Sequence, residues 1–310
     1  MADASETKTP SRRYVLITPC RNEESHVEAT IRTIVGQSVP PTRWIIVDDG
    51  STDRTPQILA DAAAEHAFIK VVTRTNRGAR SVGPGVIAAF YAGLEQLDVE
   101  AFDYIGKVDA DLEFPAEYFE RVMREMEADP KLGNMSGKVY LRLDDGRLVP
   151  ERMGDENAIG AAKFYRKACF EQIGGFVQHV GWDGIDGHMC RLMGWIARSE
   201  DREDLRIIHR RLMGSSQNSV WEGRKRWGRL KYYMGSAPWY MSAIFAYRLA
   251  ERPYVVGSVA ILLGYLEELA RQGPRYEYPG FRDALRRFEW LSLTRGKRAA
   301  IEVVNAPLKR

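Results

Sequence analysis

Two acidic clusters in this chain end apolar runs, and one has the spacing to handle a cation. Asp109-Ala-Asp111 sets two carboxylates two positions apart at the end of an apolar run, where both could reach a hard cation bridging diphosphate oxygens. Val47-Asp-Asp-Gly-Ser-Thr-Asp53 puts two acids at another such end, followed by a glycine and hydroxyls able to turn the chain. The same residues also suit an ordinary capped strand-to-helix turn. An isolated D-x-D is common by chance, so neither cluster decides function alone.

These residues need strands to carry them, and the apolar pattern supplies strands. Tyr14-Val-Leu-Ile-Thr18 is a buried-strand run. A helical stretch over 24–35 follows, then a strand over 44–47, a helix over 55–66, a strand over 69–73, a helix over 82–97 and a strand over 104–108. Alternation at this spacing predicts a parallel sheet covered on both faces. In such sheets ligands bind beyond the carboxyl ends of the strands. The polar clusters at 19–23, 48–53, 76–80 and 109–111 all fall there. Residues 1–12 lack periodicity and read as a frayed tail.

Together with Thr18-Pro-Cys-Arg-Asn-Glu-Glu24, the two aspartate motifs resemble the family 2 glycosyltransferases of the GT-A fold. Their first strand ends in a P-x-x-N-E type loop, the second in D-D-G-S and the fourth in D-x-D. The resemblance covers roughly residues 13–215 and implies a Rossmann-like α/β nucleotide-binding sandwich with a mixed, mainly parallel sheet. It further implies inverting transfer from a nucleotide-diphosphate sugar, a UDP-sugar before a GDP- or TDP-sugar, with Mn²⁺ or Mg²⁺ as cofactor. On this match Thr18, Pro19, Glu23 and Asp49 hold the nucleoside, Asp109 its ribose or diphosphate, and Asp111 the metal. Arg21 and Ala110, inside the same motifs, join the nucleotide-sugar set, and Asp109 stands beside Asp111 as a second metal candidate.

The second half matches the acceptor side of the family through Ile173-Gly-Gly-Phe176 and Gly181-Trp-Asp-Gly-Ile-Asp-Gly187. By that register Asp186 is the expected base, with Asp183 as the fallback. The usual Glu-Asp pair is absent, since Ile185 precedes Asp186. A helix-capping aspartate is the other reading. His209, which follows another apolar run, is expected as a metal ligand by similarity to relatives with a histidine there, or else as a packed, hydrogen-bonded side chain. Arg210 and Arg211 could then neutralise phosphate. Arg80 or Arg77, in a Gly-bearing loop, is a candidate phosphate clamp or part of a solvated loop. The Q-x-x-R-W motif of processive synthases is missing, with Gly223 in the glutamine place before Arg226-Trp227. Single-sugar transfer is therefore expected, to a lipid-linked or polysaccharide-precursor glycan.

Composition sets the limits. With 45% hydrophobic and 28% charged residues, this is a globular chain able to bury one large core. Residues 216–310 hold 17 Lys/Arg against 8 Asp/Glu, a balance of +9 within a total of +3. A boundary is placed near residue 216, dividing a 13–215 domain from a helical, basic and apolar 216–310 region. Five cations at Arg224, Lys225, Arg226, Arg229 and Lys231 precede aromatic residues. That texture suits an anionic membrane surface, or a homo-oligomer interface. The apolar stretch 253–266 argues against nucleic acid. Uncharged runs at 232–247 and 253–266 fall short of the roughly 18 residues a spanning helix needs. Cys20, Cys169 and Cys190 lie far apart in sequence, and a reducing cytoplasm is expected. A sugar-1-phosphate nucleotidyltransferase would need a glycine-rich loop after the first strand, which Thr18-Pro-Cys-Arg-Asn-Glu lacks. A catalytically silent sugar-binding scaffold would be marked by loss of acids that this sequence retains.

Overall fold

Val15, Leu16 and Ile17 are fully buried, as a strand covered on both faces requires, and they lie at the middle of a seven-stranded sheet. The computed structural model describes residues 12–76, 78, 83–143, 145–151, 154, 156–211, 220–251 and 254–309. Its strands are β1 (Tyr14–Cys20), β2 (Arg43–Asp48), β3 (Ile69–Thr73), β4 (Tyr104–Val108), β5 (Leu112–Glu113), β6 (Leu132–Gly137), β7 (Val139–Arg142), β8 (Leu148–Pro150), β9 (Ala162–Arg166), β10 (Ile196–Glu200) and β11 (Ile207–His209). Its helices are α1 (Val27–Val35), α2 (Thr55–Glu65), α3 (Pro84–Leu94), α4 (Tyr118–Ala128), α5 (Lys167–Gln172), α6 (Trp182–Leu192), α7 (Val220–Met234), α8 (Pro238–Arg248), α9 (Tyr254–Ala270), α10 (Phe281–Arg295) and α11 (Lys297–Asn305).

The main sheet runs β10-β6-β9-β4-β1-β2-β3, and only β9 is antiparallel to its neighbours. This is the mixed, mainly parallel sheet that the sequence predicts. Side chains alternate between two cores. Tyr14 and Leu16 point to one built with Val27, Leu59 and Met126, while Val15 and Ile17 point to another with Phe90, Cys169 and Met189. Register pairs Cys20 with Asp48, so the motif loops after β1 and β2 leave the sheet side by side.

Of a second, four-stranded sheet, β5-β11-β7-β8, the sequence signals only the apolar run at His209. Its strands are two to four residues long, too short for an alternation signal. It carries β11 beside β5, one residue past Asp111.

The helical C-terminal region shares a core with the α/β layers, since Met234, Phe281 and Leu285 pack with Phe90, Ile185 and Met189. Cys169 and Cys190, distant in sequence, meet there as buried free thiols with sulfurs 3.6 Å apart. Among the described residues no helix is long and apolar enough to cross a membrane.

Part of the basic run in α7 is paired within the chain. Lys225 and Arg229 pair with Glu267 of α9 at 2.6 and 3.2 Å, and the Lys231 ammonium lies over the rings of Trp227 and Tyr240. Carboxylates some forty positions downstream neutralise part of the run.

Candidate active site

The loops after β1 and β2 are tied to each other before any ligand is considered. Asn22 adopts a left-handed backbone (φ 53°) and its side-chain oxygen accepts the Thr52 amide at 2.8 Å. The Glu23 amide donates to Thr55 Oγ1 at 2.8 Å, and Arg21 donates to the Asp49 carbonyl at 3.0 Å. Gly50 is required at its turn: its φ is 80°, and a Cβ would sit 2.5 Å from Asn76 Cα. This lacing explains why α1 begins at Val27 and not at residue 24. Residues 21–26 are used in the loop.

The nucleoside candidates take different positions. Asp49 is buried and receives Arg74 at 2.7 Å, Pro19 is half-buried, and Thr18 is fully buried with its hydroxyl accepting the Trp44 indole N–H at 2.9 Å. Thr18 thus supports the sheet from within. Arg77 and Arg80, the phosphate-clamp candidates, lie outside the described residues.

At the end of β4, Asp109 keeps an open face, its side chain 36% exposed, while one oxygen receives the ammonium of Lys107. Lys107 itself is only 2% exposed and also donates to the Gly160 carbonyl at 2.9 Å. Ala110 is buried, and its carbonyl accepts the Thr30 hydroxyl. Asp111 is buried, with one oxygen held by Arg211 Nε at 2.6 Å and His209 Nε2 at 3.2 Å. Its other oxygen, Oδ1, has no hydrogen-bond partner among the described residues. Arg211 reaches on to Glu23 at 2.7 Å, and His209 Nδ1 meets Glu151 at 3.0 Å. Arg210 turns away to Glu113.

Flanked by the carboxylates of Asp111 and Glu151, His209 is favoured in its charged form. Burial works against its charge, but the hydrogen bonds to Asp111 and Glu151 outweigh that and push its pKa up to about 9. Burial likewise opposes the Asp111 carboxylate, yet His209 and Arg211 hold its pKa below the usual range. Among the described residues, no three His, Cys, Asp or Glu side chains are arranged to hold a metal. Asp111 and a deprotonated His209 would supply one or two donors. That suits a cation that brings most of its shell as diphosphate and water, not one caged by protein.

Across the crevice, α6 carries both aspartates of the second motif. Its N-terminus is set by Gly181, which has a φ of 85° and where a Cβ would lie 2.1 Å from Leu230 of α7. Asp186 is sealed, its side chain 1% exposed. One oxygen receives the buried Lys163 ammonium at 2.5 Å and the Tyr165 hydroxyl, and the other accepts the Gly187 amide at 2.6 Å. Burial pushes its pKa up, and Lys163 and Tyr165 pull it part of the way back. Asp183, in the first turn, is exposed. A Cβ on Gly160 would stand 2.9 Å from Asp183 Oδ2, and Gly160 adjoins Ala161, whose carbonyl accepts the Asp109 amide. The open carboxylates of Asp183 and Asp109 therefore flank the same short segment.

Lys107 and Lys163 escape motif reading, yet they join the two sides. Lys163 also donates to the Asp183 carbonyl at 3.0 Å, and the two ammonium groups lie 5.1 and 5.6 Å from the ring centroid of Trp182. The signal available was a lysine inside an otherwise apolar strand, in Tyr104-Ile-Gly-Lys107-Val and Ala162-Lys163-Phe-Tyr. Such a lysine needs a buried partner.

The family sequence model described as "Glycosyl transferase family 2" matches residues 15–181. The chain is 29% identical over 124 residues to the poly-beta-1,6-N-acetyl-D-glucosamine synthase of Staphylococcus epidermidis, and 29% over 126 residues to that of Staphylococcus aureus. Each match takes in 40% of this chain and 27% of the relative's length. Similar solved structures include S. aureus TarS 1-349 in complex with UDP-GlcNAc (TM-score 0.53, 17% identity, 96% of this chain and 90% of that one). Another is GalNAc-T7 with UDP, GalNAc and Mn²⁺ (TM-score 0.56, 11% identity, 93% and 58%). These identities establish likeness of fold.

Proposed function

Since the chain belongs to glycosyl transferase family 2, we propose that it moves one sugar from a nucleotide-diphosphate sugar, a UDP-sugar first, to an acceptor hydroxyl with inversion. The observation that carries this reading is the open carboxylate of Asp183, which faces the Asp109 end of the strand crevice from the first turn of a helix. An inverting displacement needs one carboxylate to take the acceptor proton on the face opposite the departing diphosphate. Asp183 takes that proton, the acceptor oxygen bonds to the anomeric carbon, and the bond to the diphosphate oxygen breaks. Asp186, the first choice from motif register, serves instead as the anchor that fixes α6 through Lys163.

On the donor side, Asp49 and the laced loops bind the nucleoside, and Asp109 takes the ribose or diphosphate. Asp111, with His209 once its proton has left, would hold a Mn²⁺ or Mg²⁺ ion, whose charge when bound stabilises the leaving diphosphate. Arg211, released from Asp111, turns its guanidinium to the phosphates. The names of the relatives, and neighbours solved with UDP-GlcNAc or Mn²⁺, support this choice of donor and cofactor. The acceptor is read as a lipid-linked or polysaccharide-precursor glycan, met at the cytoplasmic face of a membrane.

The test is release of sugar from a panel of nucleotide-sugars with Mn²⁺, followed by transfer with the donor that responds. A family 2 protein that binds a donor yet never turns it over would be a sugar-binding scaffold, and this reading would fall.

A further inference from the structure

Exposed apolar side chains are distributed unevenly over this molecule. Of the fifteen large ones among the described residues, thirteen lie beyond residue 220, and the α/β half contributes only Leu148 and Val149. The densest group caps the α8–α9 hairpin, where Tyr247, Tyr254, Val255 and Val256 are 69%, 53%, 56% and 57% exposed, with Leu249 beside them. The hairpin is not loosely held. A Cβ on Gly228 would sit 1.9 Å from the Ile261 carbonyl oxygen, and one on Gly264 2.0 Å from the Lys225 oxygen. Helix α9 is thus pressed onto α7 at two glycines, and the tip is presented on a fixed support.

We infer that this hairpin tip is a bilayer-docking element, entering the interfacial region of an anionic leaflet without crossing it. Three features select lipid as the occupant. Tyrosines carry an apolar ring ending in a hydroxyl, which suits the boundary between headgroups and acyl chains, and Val255, Val256 and Leu249 supply the part that enters hydrocarbon. The charge beside the tip suits an anionic surface: Arg248 pairs with Glu251 at 3.1 Å, and Arg224 lies near both, so two cations stand beside one carboxylate. The cluster is also small. Five side chains at one hairpin fall well short of the roughly 20–30 residues per partner that a stable subunit interface takes.

This inference rests on the proposed membrane-side acceptor only for its purpose, and it moves the contact from the basic run of α7 to the α8–α9 tip. Docking there would hold the transferase at the leaflet where a lipid-linked acceptor is anchored.

The experiment is flotation of the full chain with vesicles of phosphatidylcholine alone or mixed with phosphatidylglycerol, at low and high salt. It compares wild type with Val255→Asp/Val256→Asp, with Tyr247→Ser, and with Leu148→Asp as an exposed change on the α/β half. Hydrolysis of the responding donor on the same samples reads the transferase site separately, and thermal melting reads the fold. The expected result is flotation with the mixed vesicles that drops about tenfold or more in the double variant, with a smaller drop for Tyr247→Ser and none for Leu148→Asp. Donor hydrolysis should be unchanged in all three. Equal flotation of wild type and the double variant would overturn the inference, as would wild type that never floats. A wild-type dimer in sedimentation that dissociates in the double variant would overturn it too, by giving the tip to a second copy.

Discussion

The two sides of the crevice hold their carboxylates in opposite ways. At the strand ends, Asp111 is held by Arg211 and His209 and Glu23 by Arg211, side chains that follow or end the short β11. On α6, Asp186 is locked to Lys163, a fully buried lysine of the main sheet, and its neighbour Asp183 stands open three residues earlier. Under the proposed function, the strand-end side trades partners with an incoming diphosphate. The helix side, under the same proposal, keeps one carboxylate fixed while another stays open. Asp111 and Asp186 are both charge-paired, so pairing alone does not identify a functional acid; on the proposed function the difference is whether the partner leaves.

The largest effect expected from breaking this contrast is at Asp111. Asp111→Ala should abolish turnover and remove the Mn²⁺ dependence of UDP binding, because the cation loses its main protein carboxylate. Titration of UDP with and without Mn²⁺ checks this, and UDP affinity that still responds to Mn²⁺ in the variant would remove Asp111 from the metal.

Next in size is the lock. Lys163→Met leaves the Asp186 charge buried and uncompensated, and should cost about 3–5 kcal/mol of stability. Adding Asp186→Leu should recover most of it, since an apolar pair of similar volume is commonly neutral or better. Denaturant unfolding of the single and double variants measures both. If the double variant is no more stable than the single one, the pair is not the anchor described.

The smallest effect is the pH response of the strand-end side. The His209 pKa is raised to about 9 in the fold from an unfolded value near 6.5. The stabilisation from its ion pairs is therefore fully present below about pH 6.5 and is lost as pH rises through about 9. Metal-free protein should lose on the order of 1–3 kcal/mol across that window, and His209→Gln should flatten the curve. Mn²⁺ affinity without nucleotide should move the other way, tightening as the imidazolium loses its proton. An unchanged affinity from pH 6.5 to 9 would take His209 out of the metal site.

Much of the fold was legible because its signals are local. Buried parallel strands appear as apolar runs, and the polar clusters fall at their carboxyl ends. The parts that were not legible depend on partners far away in sequence. Asp183 and Asp186 lie on nearly the same side of α6, about 4.5 Å apart along the axis. Which one clears the sheet is decided by Lys163 and Tyr165 on β9, some twenty positions upstream. The basic run of α7 reads as an open cationic face until Glu267 and Glu268 fold back beside it. The second sheet, which brings His209 to Asp111, shows in the sequence only as the apolar run at that histidine, its other strands being too short to leave a pattern.

The central claim is that Asp183 is the base and Asp186 the anchor. The most direct test measures single-turnover transfer, donor affinity and thermal melting together for Asp183→Asn and Asp186→Asn. For Asp183→Asn the account predicts donor affinity and melting close to wild type with transfer slowed about 10²–10⁴-fold, the usual contribution of a positioned general base. For Asp186→Asn it predicts a clear loss of thermal stability, with transfer in the molecules that remain folded less impaired than in Asp183→Asn. The opposite pattern, Asp186→Asn melting normally but failing to transfer while Asp183→Asn transfers at the wild-type rate, would contradict it.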